Sequence, residues 1–513
     1  MFPVRRARIA PSHENGRIMT SHSSLSANGG AGPNGPDRGQ SAHPLNRGLG
    51  VGAIVFMVVA AAAPLAVVAA QVPIVIAFGG SIGAPLFFLI AAVILTLFAV
   101  GYTLMSRHVR NAGAFYSYVQ AGLGRVNGLG AALLALVSYS MLLIAVYSYQ
   151  GVAASNAAAQ YLHVDVPWWV FSFAAFGIVS VLGYRDIELS SKVLGVLLIA
   201  EALIVVVLDV AILVKGGAAG LTAAPVLPTT VFDGSPGLGL MFAFFAFFGF
   251  EATAVFRNEA RDPDRTIPRA TYVAVVSIGA FYALSAWAVV VGAGVSDAVD
   301  TASDDPVNMV FALATRYAGT VVHDVMQLLV VTSVFACVLS FHNVITRYQF
   351  TLGSMGVLPS TLGRVSVKYG APSRSSIVLT AISGVLLAVV AVSGIDPITQ
   401  AYTWLSGAAT LGIVLLMALT NLAVIVFFRM HDLDKRRWHT VVAPSLAILG
   451  LLAVVALVVA NFELLIGDRL GALIIGGLVI AAYGVGVVVA LRMRRSRPAV
   501  YAALRDGEPQ SGD

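Results

Sequence analysis

Charge is scarce in this chain. Asp, Glu, Lys and Arg together make up 11% of its 513 residues, whereas 58% are hydrophobic and the mean hydropathy is +0.87. A soluble protein carries about 25% charged residues, and less than half of that cannot clothe a water-facing surface. A globular cytosolic enzyme is excluded. Cysteine is scarcer still: Cys337 stands alone, which excludes an intramolecular disulfide framework and a cysteine-rich metal site, and in its apolar run it reads as a packing residue. No Walker motif, GxSxG elbow or HExxH helix occurs, so ATP-driven transport and three common enzyme designs find no support. His431 and His439 sit in a basic loop without zinc-ligand spacing. No cofactor and no metal are expected. The opening residues 1–46 lack an apolar core of signal-peptide length and read as a disordered polar tail.

What the chain does have is long apolar runs, at about 50–78, 84–105, 128–157, 168–184, 193–214, 238–256, 271–294, 321–345, 375–393, 400–428, 440–461 and 470–491. A membrane helix takes about 20 such residues. The fold class is therefore an all-α polytopic membrane protein with about twelve transmembrane helices, its partner surface being the lipid bilayer. Residues 306–317 read as a short interfacial helix. With the N-terminus placed in the cytoplasm, 28 of the 31 Lys and Arg residues fall on the cytoplasmic side, the exceptions being Lys215, Arg316 and Arg469. The bias matches the positive-inside rule with an even number of spans. Both termini are thus expected in the cytoplasm, with residues 492–513 as the second tail. The net charge of +6 records orientation and implies no nucleic-acid partner.

Gly48-Leu49-Gly50 at the start of span 1 matches Gly237-Leu238-Gly239 at the start of span 6. Five spans lie within this offset, so the second copy enters from the opposite side, as an inverted repeat requires. The expected units are 47–215 for the first repeat, 237–428 for the second and 440–491 for two additional helices. Pro64 removes a helical hydrogen bond and marks a break or a kink near Ala60 to Leu65. In span 6 the aromatic run Phe244 to Phe250 ends at Glu251, a costly carboxyl unless it meets a cavity, a partner or a proton. A helix broken in the bilayer offers N–H groups to a carboxylate and carbonyls to an ammonium. The ligand suited to such a site is small and zwitterionic, or a cation.

Glu201 lies near the middle of span 5 without a basic residue within one helical turn. A central charge costs about 2.5–3.5 kcal/mol on the insertion scale, and a carboxyl there avoids that cost by taking up a proton. It is a candidate for proton coupling, or else a permanently protonated group bonded to a neighbouring helix. Asp209, two turns later, is expected to be solvated near the outer interface. Tyr139, Tyr147, Tyr402 and Trp404 are candidates to line a pocket or to pack. Ser333 and Thr332 are candidate oxygen ligands or helix-packing groups.

Three loop segments carry more specific motifs: Ser106-Arg107-His108-Val109-Arg110-Asn111-Ala112-Gly113-Ala114-Phe115-Tyr116; Phe247-Phe248-Gly249-Phe250-Glu251 with Asn258-Glu259-Ala260-Arg261-Asp262-Pro263 and Thr266-Ile267-Pro268-Arg269; and Arg347-Tyr348-Gln349-Phe350 with Gly356-Val357-Leu358-Pro359 and Tyr369-Gly370-Ala371-Pro372. In order across about residues 48–430, they resemble the amino acid–polyamine–organocation permeases. The resemblance implies a five-plus-five inverted repeat (LeuT-like) with two extra helices, alternating access, and a substrate held between broken helices 1 and 6. By position it implies substrate contacts at Ala61, Ala62, Ala63, Pro64, Phe245, Phe248, Gly249 and Glu251, with Phe245 as a gating aromatic. It places Glu201 where proton-coupled relatives carry a lysine and sodium-coupled ones an ion site. The usual Gly-Ser-Gly-like break is replaced here by alanines and proline, which shifts the expectation toward an amine or an unusual amino acid. The implied function is a secondary transporter of an amino acid or related amine across the cell membrane, coupled to a proton as a symporter. An exchanger is the alternative within the class. A membrane-embedded transferase or a non-transporting sensor are the alternatives outside it.

Overall fold

The computed structural model describes residues 50–109, 114–185, 191–251, 253, 260–366 and 368–504. The expected N-terminal tail, the end of the C-terminal tail and the motif residues 110–113 and 258–259 lie outside them. Among the described residues twelve apolar spans are present: nine helices long enough to cross a membrane and three shorter ones. Span 1 is the pair α1 (Val51–Ala61) and α2 (Pro64–Gly79). There follow α3 (Ala84–Met105), α4 (Ala114–Leu162, interrupted at Gly124), α5 (Trp168–Tyr184), α6 (Ser191–Lys215) and α7 (Pro236–Phe245). Next come α8 (Pro263–Ala293), α9 (Ala298–Asp304), α10 (Met309–Ala318), α11 (Thr320–Ser354) and α12 (Ser373–Ser393). The chain closes with α13 (Pro397–His431), α14 (Trp438–Ile466), α15 (Arg469–Ser496) and α16 (Pro498–Ala503). The expected interfacial helix is α10.

Local chemistry sets the ends. Pro64, Pro236 and Pro263 open their helices at a position where a missing N–H costs nothing. Asp396 caps α13 by accepting from the amides of Ile398 and Thr399, and Asp468 caps α15 through Gly471. The centre is built by α4 and α13, with α3 and α8 packed alongside. At the periphery α15 turns Leu470, Leu473, Ile474, Leu478 and Ile480 outward. Such a surface is stable where lipid is the solvent. The two interrupted spans meet inside this frame, α2 packing on α7.

Candidate functional site

The first interruption is two residues wide, Ala62 and Ala63. Ala62 ends its helix with an amide bonded to Val58 O at 3.1 Å, and Ala63 then adopts a left-handed conformation (φ 46°, ψ 66°) before Pro64 restarts the chain. Only glycine visits that region without steric cost, so the surroundings hold the flip in place. Each half-helix end finds a partner from elsewhere. The Ala62 carbonyl accepts from the Tyr282 hydroxyl of α8 at 3.2 Å. On the other side the Leu65 amide lies against the Glu201 carboxylate, which also accepts from Ser333 Oγ of α11 at 2.8 Å. A carboxylate at a helix N-terminus meets both free N–H groups and the positive end of the dipole.

The second interruption is longer and capped by its own segment. Beyond Phe245 the chain runs in tight turns, with Phe247 N bonded to Phe244 O and Phe248 N to Phe245 O, both at 3.1 Å. Gly249 takes φ +106°, which a side chain would strain. Glu251 folds back: its Oε2 accepts from the Gly249 amide at 2.9 Å and its Oε1 from the Tyr139 hydroxyl at 2.6 Å. Tyr102 donates to the Glu251 carbonyl at 2.9 Å. The acid is buried and fully engaged with protein.

Between the breaks lies a cavity of about 60 Å³. Ala62, Ala63, Phe245 and Phe248 line it, whereas Pro64, Gly249 and Glu251 do not. The Ala61 side chain is outside the described set. Phe245 forms an aromatic wall, its ring centroid 5.5 Å from Phe248 and 6.0 Å from Tyr402. Val334 and Cys337 of α11 close the side next to Ser333, so Cys337 packs at the site rather than merely within the apolar run.

Two polar lining residues, Gln71 and Tyr149, were not singled out in the sequence. Gln71 bridges three spans: its amide donates to Phe242 O at 2.9 Å and its carbonyl accepts from the Tyr402 hydroxyl at 2.6 Å. Tyr149 reaches the cavity with a buried hydroxyl that has no protein partner. A polar residue in an otherwise apolar half-helix was the available signal for Gln71. For Tyr149 it was the polar cluster Tyr147 to Gln150.

The other candidates separate. Tyr402 lines the cavity. Tyr139 belongs to the Glu251 cap, Tyr147 packs on Phe176, and Trp404 donates to Leu465 O. Thr332 is exposed and bonds its own helix, whereas Ser333 holds Glu201. Asp209 corrects an expectation: it is buried, with Oδ2 accepting from Ser285 of α8 at 2.7 Å. Packing of α8 over α6 removes it from solvent.

A cavity set between two helix interruptions, with a carboxyl at each, suits binding of a small molecule. The amino acid permease family model matches residues 49–483. The chain belongs to the amino acid permease family. This permease is similar to an uncharacterized transporter of Mycobacterium tuberculosis, at 25% identity over 321 residues, covering 57% of this chain and 64% of that relative. A second M. tuberculosis transporter is 26% identical over 254 residues, covering 49% and 52%. The low-affinity putrescine importer PlaP of Escherichia coli is 21% identical over 306 residues, covering 58% and 64%. The match to the permease thus spans less than two thirds of these relatives' length.

Proposed function

We propose that this permease is a secondary active transporter that carries an amino acid or related amine by alternating access and couples it to a proton as a symporter. In this reading the chain is a five-plus-five inverted repeat with two extra helices, in the cell membrane, with both termini cytoplasmic. The substrate sits between the two interruptions, touching Ala62, Ala63, Phe245 and Phe248, and Glu201 is the coupling group. The observation that carries the reading is the position of Glu201, whose carboxyl fills the amide end of the broken first span beside the cavity.

That position also bears on the substrate. The N–H end that would receive a substrate carboxylate is already met by Glu201, and no basic residue lines the cavity. An amine is favoured, its ammonium facing the Tyr149 hydroxyl and the aromatic faces of Phe245 and Tyr402. The name of the putrescine importer supports the same class. Proteoliposome uptake tests the proposal, with radiolabelled putrescine and an amino acid mixture as probes. Symport predicts accumulation driven by an imposed inward proton gradient without internal substrate. Uptake that occurs only against internal counter-substrate would establish exchange instead.

A further inference from the structure

Asp209 is a buried carboxyl that the site described above does not use. It stands on α6 eight residues beyond Glu201, two helical turns and about 12 Å along the axis. Ser285 donates to its Oδ2, while Oδ1 is buried with no partner. A carboxyl left half-paired in such a place is costly unless it holds a proton or exchanges one. Three residues before Ser285, on the same face of α8, Tyr282 reaches the Ala62 carbonyl at the first break. Asp209 is thus paired with one hydroxyl of α8 toward the Lys215 end of the span, about one turn from the hydroxyl that completes the first break.

No charged group of a neighbouring helix neutralises the outer pair. Among the described residues Asp209 forms no ion pair. Of the helices packed on α6, α1 and α2 contain no titratable side chain. On α8 the facing groups are Ser285 and Tyr282. On α10 they are Arg316, stacked over Tyr317, and Tyr317, which donates to Gly292 O at 2.9 Å. On α11, His323 and Asp324 are engaged with Gln160, Thr315, Gln327 and Tyr161, and Cys337 lines the cavity. Lys215, on α6 itself, donates to Arg316 O at 3.3 Å.

We propose that Asp209 is the entry station of the coupling proton, loading from the face at the Lys215 end of α6 and passing the proton inward to Glu201. The inference rests on the proton-coupled reading. The balance is simple. Oδ1 of Asp209 takes a proton from water on that face and forms an O–H bond, while Ser285 keeps donating to Oδ2. That O–H bond breaks as the proton moves through water and the Tyr282 hydroxyl, and an O–H bond forms on Glu201. Asp209 returns to the carboxylate, and the Tyr282 hydroxyl, which takes up one proton as it releases its own, ends unchanged.

The test is proton-driven uptake of radiolabelled putrescine and an amino acid mixture into proteoliposomes across a series of outer pH values, with an internal pH dye reporting proton entry. Asp209→Asn is expected to need a more acidic outside for half-maximal uptake, by about one pH unit, and to recover toward the wild-type rate there. Exchange at equal pH is expected to persist. Ser285→Ala, which keeps the carboxyl, shifts the profile less. Glu201→Gln is expected to lose proton-driven uptake at every pH. An unshifted Asp209→Asn profile beside an uncoupled Glu201→Gln overturns the entry role and leaves the coupling reading standing. Proton-driven uptake preserved in Glu201→Gln overturns both. If Asp209→Asn does not fold, the Ser285→Ala profile decides, and its identity with wild type overturns the proposal.

Discussion

The two interruptions solve one problem in opposite ways. Both leave backbone groups without helical partners in a region where water cannot supply them. The first is completed from outside, by Tyr282 on one end and Glu201 on the other. The second is completed largely from within, by Glu251 folding onto Gly249, with Tyr139 fixing the carboxylate. A carboxyl that caps its own chain moves with it and acts as an anchor. One that reaches across from another helix can be released when the helices part. Under the proposed reading the difference is that between a structural acid and a switching acid, although both stand in the sequence as rare charges in apolar spans.

The sharpest way to break this comparison is to exchange the expected phenotypes. Glu251→Ala leaves the Gly249 amide and the Tyr139 hydroxyl buried and unpaired. Each orphaned group costs about 1–3 kcal/mol, so a loss of about 3 kcal/mol is expected, read as a fall in the thermal unfolding midpoint in detergent. Glu201→Gln keeps an acceptor for Leu65 and Ser333, so its stability stays within about 1 kcal/mol of wild type. Its proton-driven accumulation falls at least about tenfold, equivalent to about 1.4 kcal/mol of lost coupling. Proton-driven accumulation unchanged in Glu201→Gln, or lost in a stable Glu251→Ala, would reverse the assignment of roles.

A smaller effect is expected at the aromatic wall between the breaks. Phe245→Ala removes the ring that touches Phe248 and Tyr402, and with it a packing contribution of about 0.5–1.5 kcal/mol per aromatic pair. Uptake is expected to slow several-fold with proton coupling retained, since Glu201 is untouched. Normal kinetics in this variant would remove Phe245 from the gate.

Much of the fold was legible because the bilayer dictates it: spans need about 20 apolar residues, and among the described residues each of the twelve runs holds an apolar helix or helix pair, although in span 6 it ends at Phe245. Pro64 announced the first break by chemistry, as a residue that cannot donate. The second was less legible. The aromatic run Phe244 to Phe250 carries no proline to mark a break, so only the family resemblance implied one; α7 stops at Phe245 and the following residues turn. The Gly-Leu-Gly match also concealed unequal causes. Gly237 is required because a Cβ would come within 2.3 Å of Leu457 O, and Gly239 because one would meet Phe87 at 2.4 Å, whereas a Cβ at Gly50 would meet nothing. Long-range pairings were not legible at all. Gln71 and Tyr402 are 331 residues apart, and Ser285, which buries Asp209, is 76 residues from it; periodicity within one helix carries no information about either.

The smallest predicted effect tests whether the first break is held by its partners or by its own backbone. Ala63 sits in the left-handed region (φ 46°), which costs an alanine about 1–2 kcal/mol relative to a right-handed residue. Glycine adopts it freely but loses about 0.5–1 kcal/mol more conformational entropy on folding. The difference predicts that Ala63→Gly stabilises the protein by about 0.5 kcal/mol, a rise in the unfolding midpoint of about one degree. Because the Glu201–Leu65 and Tyr282–Ala62 contacts do not involve the Ala63 methyl, proton coupling is expected to be unchanged. A measurable loss of stability in Ala63→Gly would mean that the methyl contributes more by lining the cavity than its backbone strain costs. The first break would then depend on side-chain packing as well as on the groups that reach it from α6 and α8.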